Sequence, residues 1–257
     1  MLPRTRVLLW SAPRSISTAF EHSVGSLPGV IGFHEPFSSA FYLGEEKRSP
    51  RYAGDESLSG FRYSEVRVSL EADYPEAAAL FAKDMAYAIE GDLDRLPAGF
   101  THSFLIRDPR RSIPSFYKIM AAGKLPQWSE FMPEEVELSE LEALYEHFES
   151  VYGKRPAVVD ADDLLSDPAG IMMAYCAAVG LEFNASMLRW DAAESAKRLA
   201  VWEGDWYETL SSSTGFDSGR ARIEPVLDGL PGKVLMAIDA AMPIYERMRS
   251  RRLQAVK

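Results

Sequence analysis

Two stretches of this chain place hydroxyls and a guanidinium where a small anion could be held. Ser11-Ala12-Pro13-Arg14-Ser15-Ile16-Ser17-Thr18 follows the apolar run Val7-Leu8-Leu9-Trp10 and leads into a helical pattern. The first N–H groups of a helix lack intrahelical partners, and its dipole favours negative charge there. The segment therefore reads as a cradle for phosphate or sulfate. By itself it reads equally as an N-capped helix with a surface arginine. It is not a Walker A loop, because Gly-x4-Gly-Lys-Ser/Thr is absent. The second stretch repeats the design. Phe104-Leu105-Ile106 ends in Arg107, and the following Asp108-Pro109 opens a helix carrying Ser112 and Ser115, so Arg107 and the serine eight residues on can converge on one anionic group.

These residues need a scaffold that brings them together. Arg6 to Ser11, Val30 to His34, about Phe81 to Met85, His102 to Ile106 and Ala157 to Asp160 read as strands. Between them Ser17 to Leu27, Glu76 to Phe81, a stretch toward Leu96, the segment after Pro109, Glu134 to Tyr152 and Pro168 to Val179 read as helices, the last with Gly180 just past its end. Such alternation predicts an α/β fold, a central parallel sheet flanked by helices with a P-loop-like strand-loop-helix at the N-terminus. About Tyr42 to Tyr74 the pattern weakens, which reads as a mobile loop or lid over a site, or as a solvated connection. The region from about Phe183 reads as mostly helical. No linker or repeat divides the chain, so 1–257 is expected to be a single domain with its core over about 5–180.

Composition narrows the choice of partner. A chain of 257 residues with 47% hydrophobic and 26% charged residues can bury a substantial core. Its net charge of −10 argues against coating nucleic acid or an acidic membrane surface, but a small anionic ligand needs only a few local cations. The single cysteine, Cys176, lies in an apolar run and reads as a buried core thiol, so no oxidising compartment is implied. The apolar stretch near the start is too short for a secretion signal, no run is long enough to span a membrane, and a cytoplasmic location is expected.

With these residues in place, the chain resembles the sulfotransferases that use 3′-phosphoadenosine 5′-phosphosulfate (PAPS). Pro13-Arg14-Ser15-Ile16-Ser17-Thr18 is similar to their 5′-phosphosulfate loop, usually Pro-Lys-Ser-Gly-Thr-Thr, with Arg14 in place of lysine and Ile16 in place of glycine. Arg107 and Ser115 fall at the family spacing for the pair that holds the 3′-phosphate, and Val158-Val159-Asp160 through Asp163-Leu164-Leu165-Ser166-Asp167-Pro168 resembles a further family segment. The match departs elsewhere. Members that act on hormones and phenols carry Lys-Thr-His where this chain has Lys83-Asp84-Met85, so their histidine base is absent. Other branches use a glutamate near the end of the second strand, where this chain has His34-Glu35-Pro36-Phe37. In place of the Arg-Lys-Gly nucleotide loop it has Trp202-Glu203-Gly204-Asp205-Trp206 and Ser211 to Phe216, while Arg110, Arg111, Arg220 and Arg222 read as solvated charge.

The resemblance implies a specific set of roles. Arg14, Ser15, Ile16, Ser17 and Thr18 would hold the phosphosulfate, Arg107 and Ser115 the 3′-phosphate, and Glu35 would be the general base, with His34 orienting or replacing it. Arg14 and Lys83 would stabilise charge on the departing oxygen. The acceptor would be a hydroxyl of a small molecule or glycan, with Phe37, Phe41, Tyr42, Tyr87 and Trp128 as candidate walls, and no metal is required. Other readings are a P-loop kinase or nucleotide hydrolase, with Val158-Val159-Asp160 as a Walker B-like strand holding Mg²⁺, and a non-catalytic nucleotide-binding module.

Overall fold

The computed structural model describes residues 5–191, 213–217 and 224–256. Its five strands are β1 (Thr5–Ser11), β2 (Val30–His34), β3 (Ala79–Met85), β4 (Thr101–Ile106) and β5 (Val158–Asp160), all parallel in the order β2-β3-β1-β4-β5. The helices are α1 (Ser17–Gly25), α2 (Pro36–Tyr42), α3 (Tyr63–Glu71), α4 (Pro109–Ala121), α5 (Ser139–Tyr152), α6 (Ala161–Ser166), α7 (Pro168–Val179) and α8 (Gly232–Arg249).

The continuous apolar run of β1 follows from burial on both faces, as parallel strands require. Leu8 and Trp10 face a core shared with Phe37 of α2, Phe116 of α4, Tyr145 of α5 and Ile238 of α8. Val7 and Leu9 face the opposite core, built from Phe20 and Val24 of α1 and Tyr175, Cys176 and Val179 of α7. The alternation continues in β3 and separates two polar neighbours, so Lys83 lies on the α1 side and Asp84 on the α2 side. His102 of β4 accepts the Trp10 indole N–H at Nδ1, 2.9 Å away, and burial pushes its pKa down to about 3, so it is a neutral core imidazole. Among the described residues no helix is long and apolar enough to cross a membrane.

Several local expectations give way to tertiary context. Glu76 to Phe81 is turn and strand, because β3 is inserted between β1 and β2 and its backbone is paired on both sides despite alanine-rich, helix-favouring sequence. The helix expected toward Leu96 is two short 3₁₀ turns, Ala86–Ile89 and Leu93–Arg95, separated by Glu90 and Gly91 with φ of 52° and 68°. The acidic helix begins at Ser139, after a separate 3₁₀ turn at Pro133–Glu135.

The region 42–74 is neither featureless nor detached. It contains α3, and the Arg51 side chain, 1% exposed, is buried against Glu135, with Arg51 Nε donating to Glu135 Oε1 at 2.5 Å. Arg51 also donates to the carbonyls of Gln127 and Glu130 at 3.1 and 3.0 Å, and its guanidinium lies 4.1 Å from the Trp128 ring centroid. Tyr42 donates to the same Glu135 carboxylate at 2.8 Å. Phe37, Tyr42 and Trp128 are core residues, whereas Phe41 borders a cleft of about 420 Å³ that Ser49, Phe131 and Met132 also line.

Candidate functional site

The parallel sheet brings its carboxyl-terminal strand ends to one edge, where ligands of open α/β folds gather. Arg14 to Thr18 follow β1, His34 and Glu35 end β2, Lys83 lies near the end of β3, and Arg107 follows β4.

The first cluster joins both anion-type segments. Arg14 Nε donates to Ser115 Oγ at 3.2 Å, and Arg107 Nη1 donates to the Arg14 carbonyl at 2.7 Å. Three residues separated by up to 101 positions thus meet at one point. Ser115 is presented by α4, whose start is fixed by Pro109 and by Asp108, which accepts the Arg110 N–H at 2.8 Å. Burial disfavours the Asp108 charge, but the hydrogen bonds and charge of Arg110 outweigh it and hold the carboxyl below its ordinary value.

The loop before α1 carries backbone strain. Arg14 and Ile16 have φ of 63° and 60°, left-handed values that cost a non-glycine residue about 1–3 kcal/mol and are most costly for a β-branched one. Left-handed residues alternating along a loop are a habit of backbone nests that aim N–H groups at an anion. The Arg107 bond to the Arg14 carbonyl and the Phe20 N–H bond to the Ile16 carbonyl, 3.1 Å, hold this conformation. Ser15 of this loop and Ser17 at the start of α1 are buried.

The second cluster is ionic and nearly buried. The fully buried Lys83 ammonium contacts Glu35 Oε1, lies 3.4 Å from Thr18 Oγ1, and stands 4.0 Å from Glu21 Oε2. His34 Nδ1 is 2.6 Å from that same Glu21 oxygen, and His34 Nε2 is 3.9 Å from Glu35 Oε1. Burial works against the Glu21 charge, but the charge and hydrogen bond of His34 and the field of Lys83 keep its pKa below the ordinary value. Thr18 ties this cluster to the loop that carries Arg14.

Glu35 is held from its backbone. It precedes α2 with φ of 50°, donates its N–H to the Lys83 carbonyl at 2.8 Å, and accepts the Ser39 N–H at 2.9 Å. Asp84, on the other side of β3, fixes the same helix start by accepting the N–H groups of Phe37 and Ser38 at 2.5 and 3.0 Å and the Ser38 hydroxyl at 2.6 Å. Burial pushes its pKa up to about 7, against the pull of the Ser38 bond.

Of the residues singled out from sequence, Arg14, Arg107 and Ser115 meet in the first cluster and Thr18, His34, Glu35 and Lys83 in the second, while Ser15, Ile16 and Ser17 belong to the loop and helix start between them. Glu21 and Asp84 were not assigned roles. Glu21 had a signal, an acidic residue three positions after Thr18 on an otherwise buried helix; Asp84 read only as a departure from Lys-Thr-His. Arg110 and Arg111 pair with Asp108 and Asp162. Asp160, the Walker B-like candidate, caps α6 through the N–H groups of Asp162 and Asp163 and accepts the Tyr245 hydroxyl at 2.9 Å. Trp202 to Trp206, Ser211, Ser212, Arg220 and Arg222 lie outside the described residues. Ser213 to Phe216 lie against Trp190, whose indole N–H donates to the Ser213 carbonyl at 2.8 Å. Among the described residues no group of three or more His, Cys, Asp or Glu is arranged to hold a metal ion.

The sequence matches the sulfotransferase domain family over residues 5–252, and the chain belongs to that family. It is 32% identical over 212 residues to the branched-chain-amino-acid aminotransferase-like protein 2 of Arabidopsis thaliana, a match covering 81% of this chain and 36% of that protein. It is 28% identical over 247 residues to the corresponding protein 1, covering 94% and 41%. The chain therefore spans about two fifths or less of the length of these curated relatives. Among solved structures, the sulfotransferase domain of the Synechococcus PCC 7002 olefin synthase aligns with a TM-score of 0.52 at 15% identity, covering 92% of this chain and 94% of that one. A sulfotransferase from Alicyclobacillus acidocaldarius aligns at 0.52 and 10%, covering 99% and 98%. Mouse sulfotransferase SULT7A1, solved with PAP, aligns at 0.51 and 12%, covering 96% and 88%. These three likenesses are of fold.

Proposed function

We propose that this chain, a single domain, transfers a sulfuryl group from PAPS to a hydroxyl of a small-molecule or glycan acceptor. The observation that carries the reading is the convergence of Arg14, Arg107 and Ser115 beside the Lys83–Glu35 pair. The donor chemistry fits these residues. A strained loop at a helix start and two guanidiniums suit a multiply charged anion, and Ser115 adds a hydroxyl. In this scheme Arg107 and Ser115 hold the 3′-phosphate, while Arg14 and the Ser15–Thr18 loop hold the phosphosulfate.

Glu35 takes the proton of the acceptor hydroxyl as its oxygen attacks sulfur. The new O–S bond forms as the bond from sulfur to the phosphate oxygen breaks, leaving the 3′,5′-bisphosphate. Arg14 and Lys83 stabilise charge growing on the departing oxygen. Lys83 has a second task before that. Its contact occupies Glu35 Oε1 in this structure, so an anionic donor that draws the ammonium away also frees that oxygen to meet the acceptor hydroxyl. The cleft bordered by Phe41 lies at the far end of α2 from Glu35, about 10 Å along the seven-residue helix, and offers an acceptor both apolar walls and the charged Arg48, Glu130 and Glu134.

The capping bonds of Asp160 favour this reading over an Mg²⁺-dependent kinase. The test is Glu35→Gln. It should bind the 3′,5′-bisphosphate as the unaltered protein does while losing roughly a hundredfold or more of sulfuryl transfer. Unchanged turnover removes Glu35 from this role, and no transfer by either protein leaves a nucleotide-binding module.

A further inference from the structure

The buried carboxylate on α1 has no part in the scheme above, yet it makes the shortest contact to the imidazole at the site. Glu21 is 2% exposed and His34 has a side chain 4% exposed, and their 2.6 Å contact joins α1 to the end of β2. His34 and Lys83 favour the ionised form of Glu21, and an ionised carboxylate can only accept, so the geometry places the proton of this contact on His34 Nδ1. The other ring nitrogen is what remains for chemistry, and Nε2 faces Glu35 Oε1 at 3.9 Å.

We propose that Glu21 is a positioning residue for the base. It fixes the tautomer and plane of His34, so that Nε2 presents its lone pair toward Glu35. This rests on the reading of Glu35 as the group that takes the acceptor proton. When Lys83 moves to the departing oxygen, Glu35 can pass its proton to Nε2. The proton then resides on an imidazolium whose second N–H is still held by Glu21. The charged and titratable groups around this pair are Lys83 on β3, Glu35 at the end of β2 and His22 beside Glu21 on α1. Losing the Glu21 charge makes a proton on either His34 or Glu35 less favourable, so the acid limb of activity must move to lower pH.

The test combines ¹⁵N-histidine NMR of the full chain with the pH dependence of sulfuryl transfer from PAPS in Glu21→Gln. Four histidines are present, and His34→Gln assigns the signal. The expected result in the unaltered protein is a protonated Nδ1 and, once the ring is neutral, a bare Nε2. In Glu21→Gln this preference weakens, because the amide can accept from Nδ1–H or donate to a bare Nδ1, kcat falls roughly tenfold, and the acid limb moves down by about one pH unit, with bisphosphate affinity unchanged. A bare Nδ1 in the unaltered protein, or a variant with the original tautomer and pH profile, overturns the proposal. If Glu21→Gln does not fold, the tautomer in the unaltered protein decides. If PAPS supports no transfer at all, the donor assignment fails, and the tautomer still decides the Glu21–His34 pairing.

Discussion

Replacing Lys83 with methionine keeps most of the aliphatic stem and deletes the charge. It leaves two buried carboxylates, Glu35 and Glu21, whose side chains are 10% and 2% exposed, with one ammonium fewer between them. Breaking a buried ion pair from one side costs about 3–5 kcal/mol, because the remaining charge is stranded. Lys83→Met should fall in that range. Glu35→Gln should cost less, about 2 kcal/mol, because Lys83 keeps Thr18 at 3.4 Å and Glu21 at 4.0 Å. The double variant removes one charge of each sign and should lie well below the sum of the singles, with a coupling of about 2 kcal/mol or more. Urea unfolding at one pH, with equal m-values, measures all four proteins. The total stability of such a domain is about 5–15 kcal/mol, so these differences are large. Singles that add to within about 0.5 kcal/mol would refute the buried coupling. So would a Lys83→Met cost below about 1 kcal/mol, the range of a solvated pair.

Asp84 binds its proton more tightly in the folded chain, where burial pushes its pKa up to about 7, than in the unfolded one. Its contribution to stability is therefore complete below about pH 4 and is lost as pH rises through about 7. Asp84→Asn should flatten that part of the curve of unfolding free energy against pH. Glu135→Gln strands the Arg51 guanidinium, with a side chain 1% exposed, and should lower stability by about 3 kcal/mol in denaturant titration. Cys176 is 1% exposed and burial pushes its thiol up to about 11, so a thiol reagent at pH 8 should label it only as fast as the chain opens, and at once in denaturant.

The strands were legible because parallel, doubly covered strands must be continuous apolar runs. Val30 to His34 was read with its observed ends, and the other four ended at the observed residues. The Ser11–Thr18 and Arg107–Ser115 segments were legible for a related reason: strand ends followed by helix starts leave few places for such residues to go. β3 misled at its start because alanine-rich residues 77–82 have helical propensity, which two flanking strands override. The tie between Arg51 and Glu135 is 84 residues long and has no local pattern. The same holds for Asp84, whose cap is supplied from a neighbouring strand rather than from within α2 itself. Ile16 adopts a left-handed φ of 60°, which nothing in a β-branched residue signals from sequence.

Isothermal titration of the full chain with 3′-phosphoadenosine 5′-phosphate, with 5′-AMP and with ATP plus Mg²⁺ tests the central claim most directly, repeated on Arg107→Ala and Ser115→Ala. The account predicts that the bisphosphate binds at least tenfold more tightly than either other nucleotide, about 1.4 kcal/mol or more, and that both variants erase most of this preference. Equal affinity for bisphosphate and 5′-AMP, or tighter binding of ATP with Mg²⁺, would contradict it.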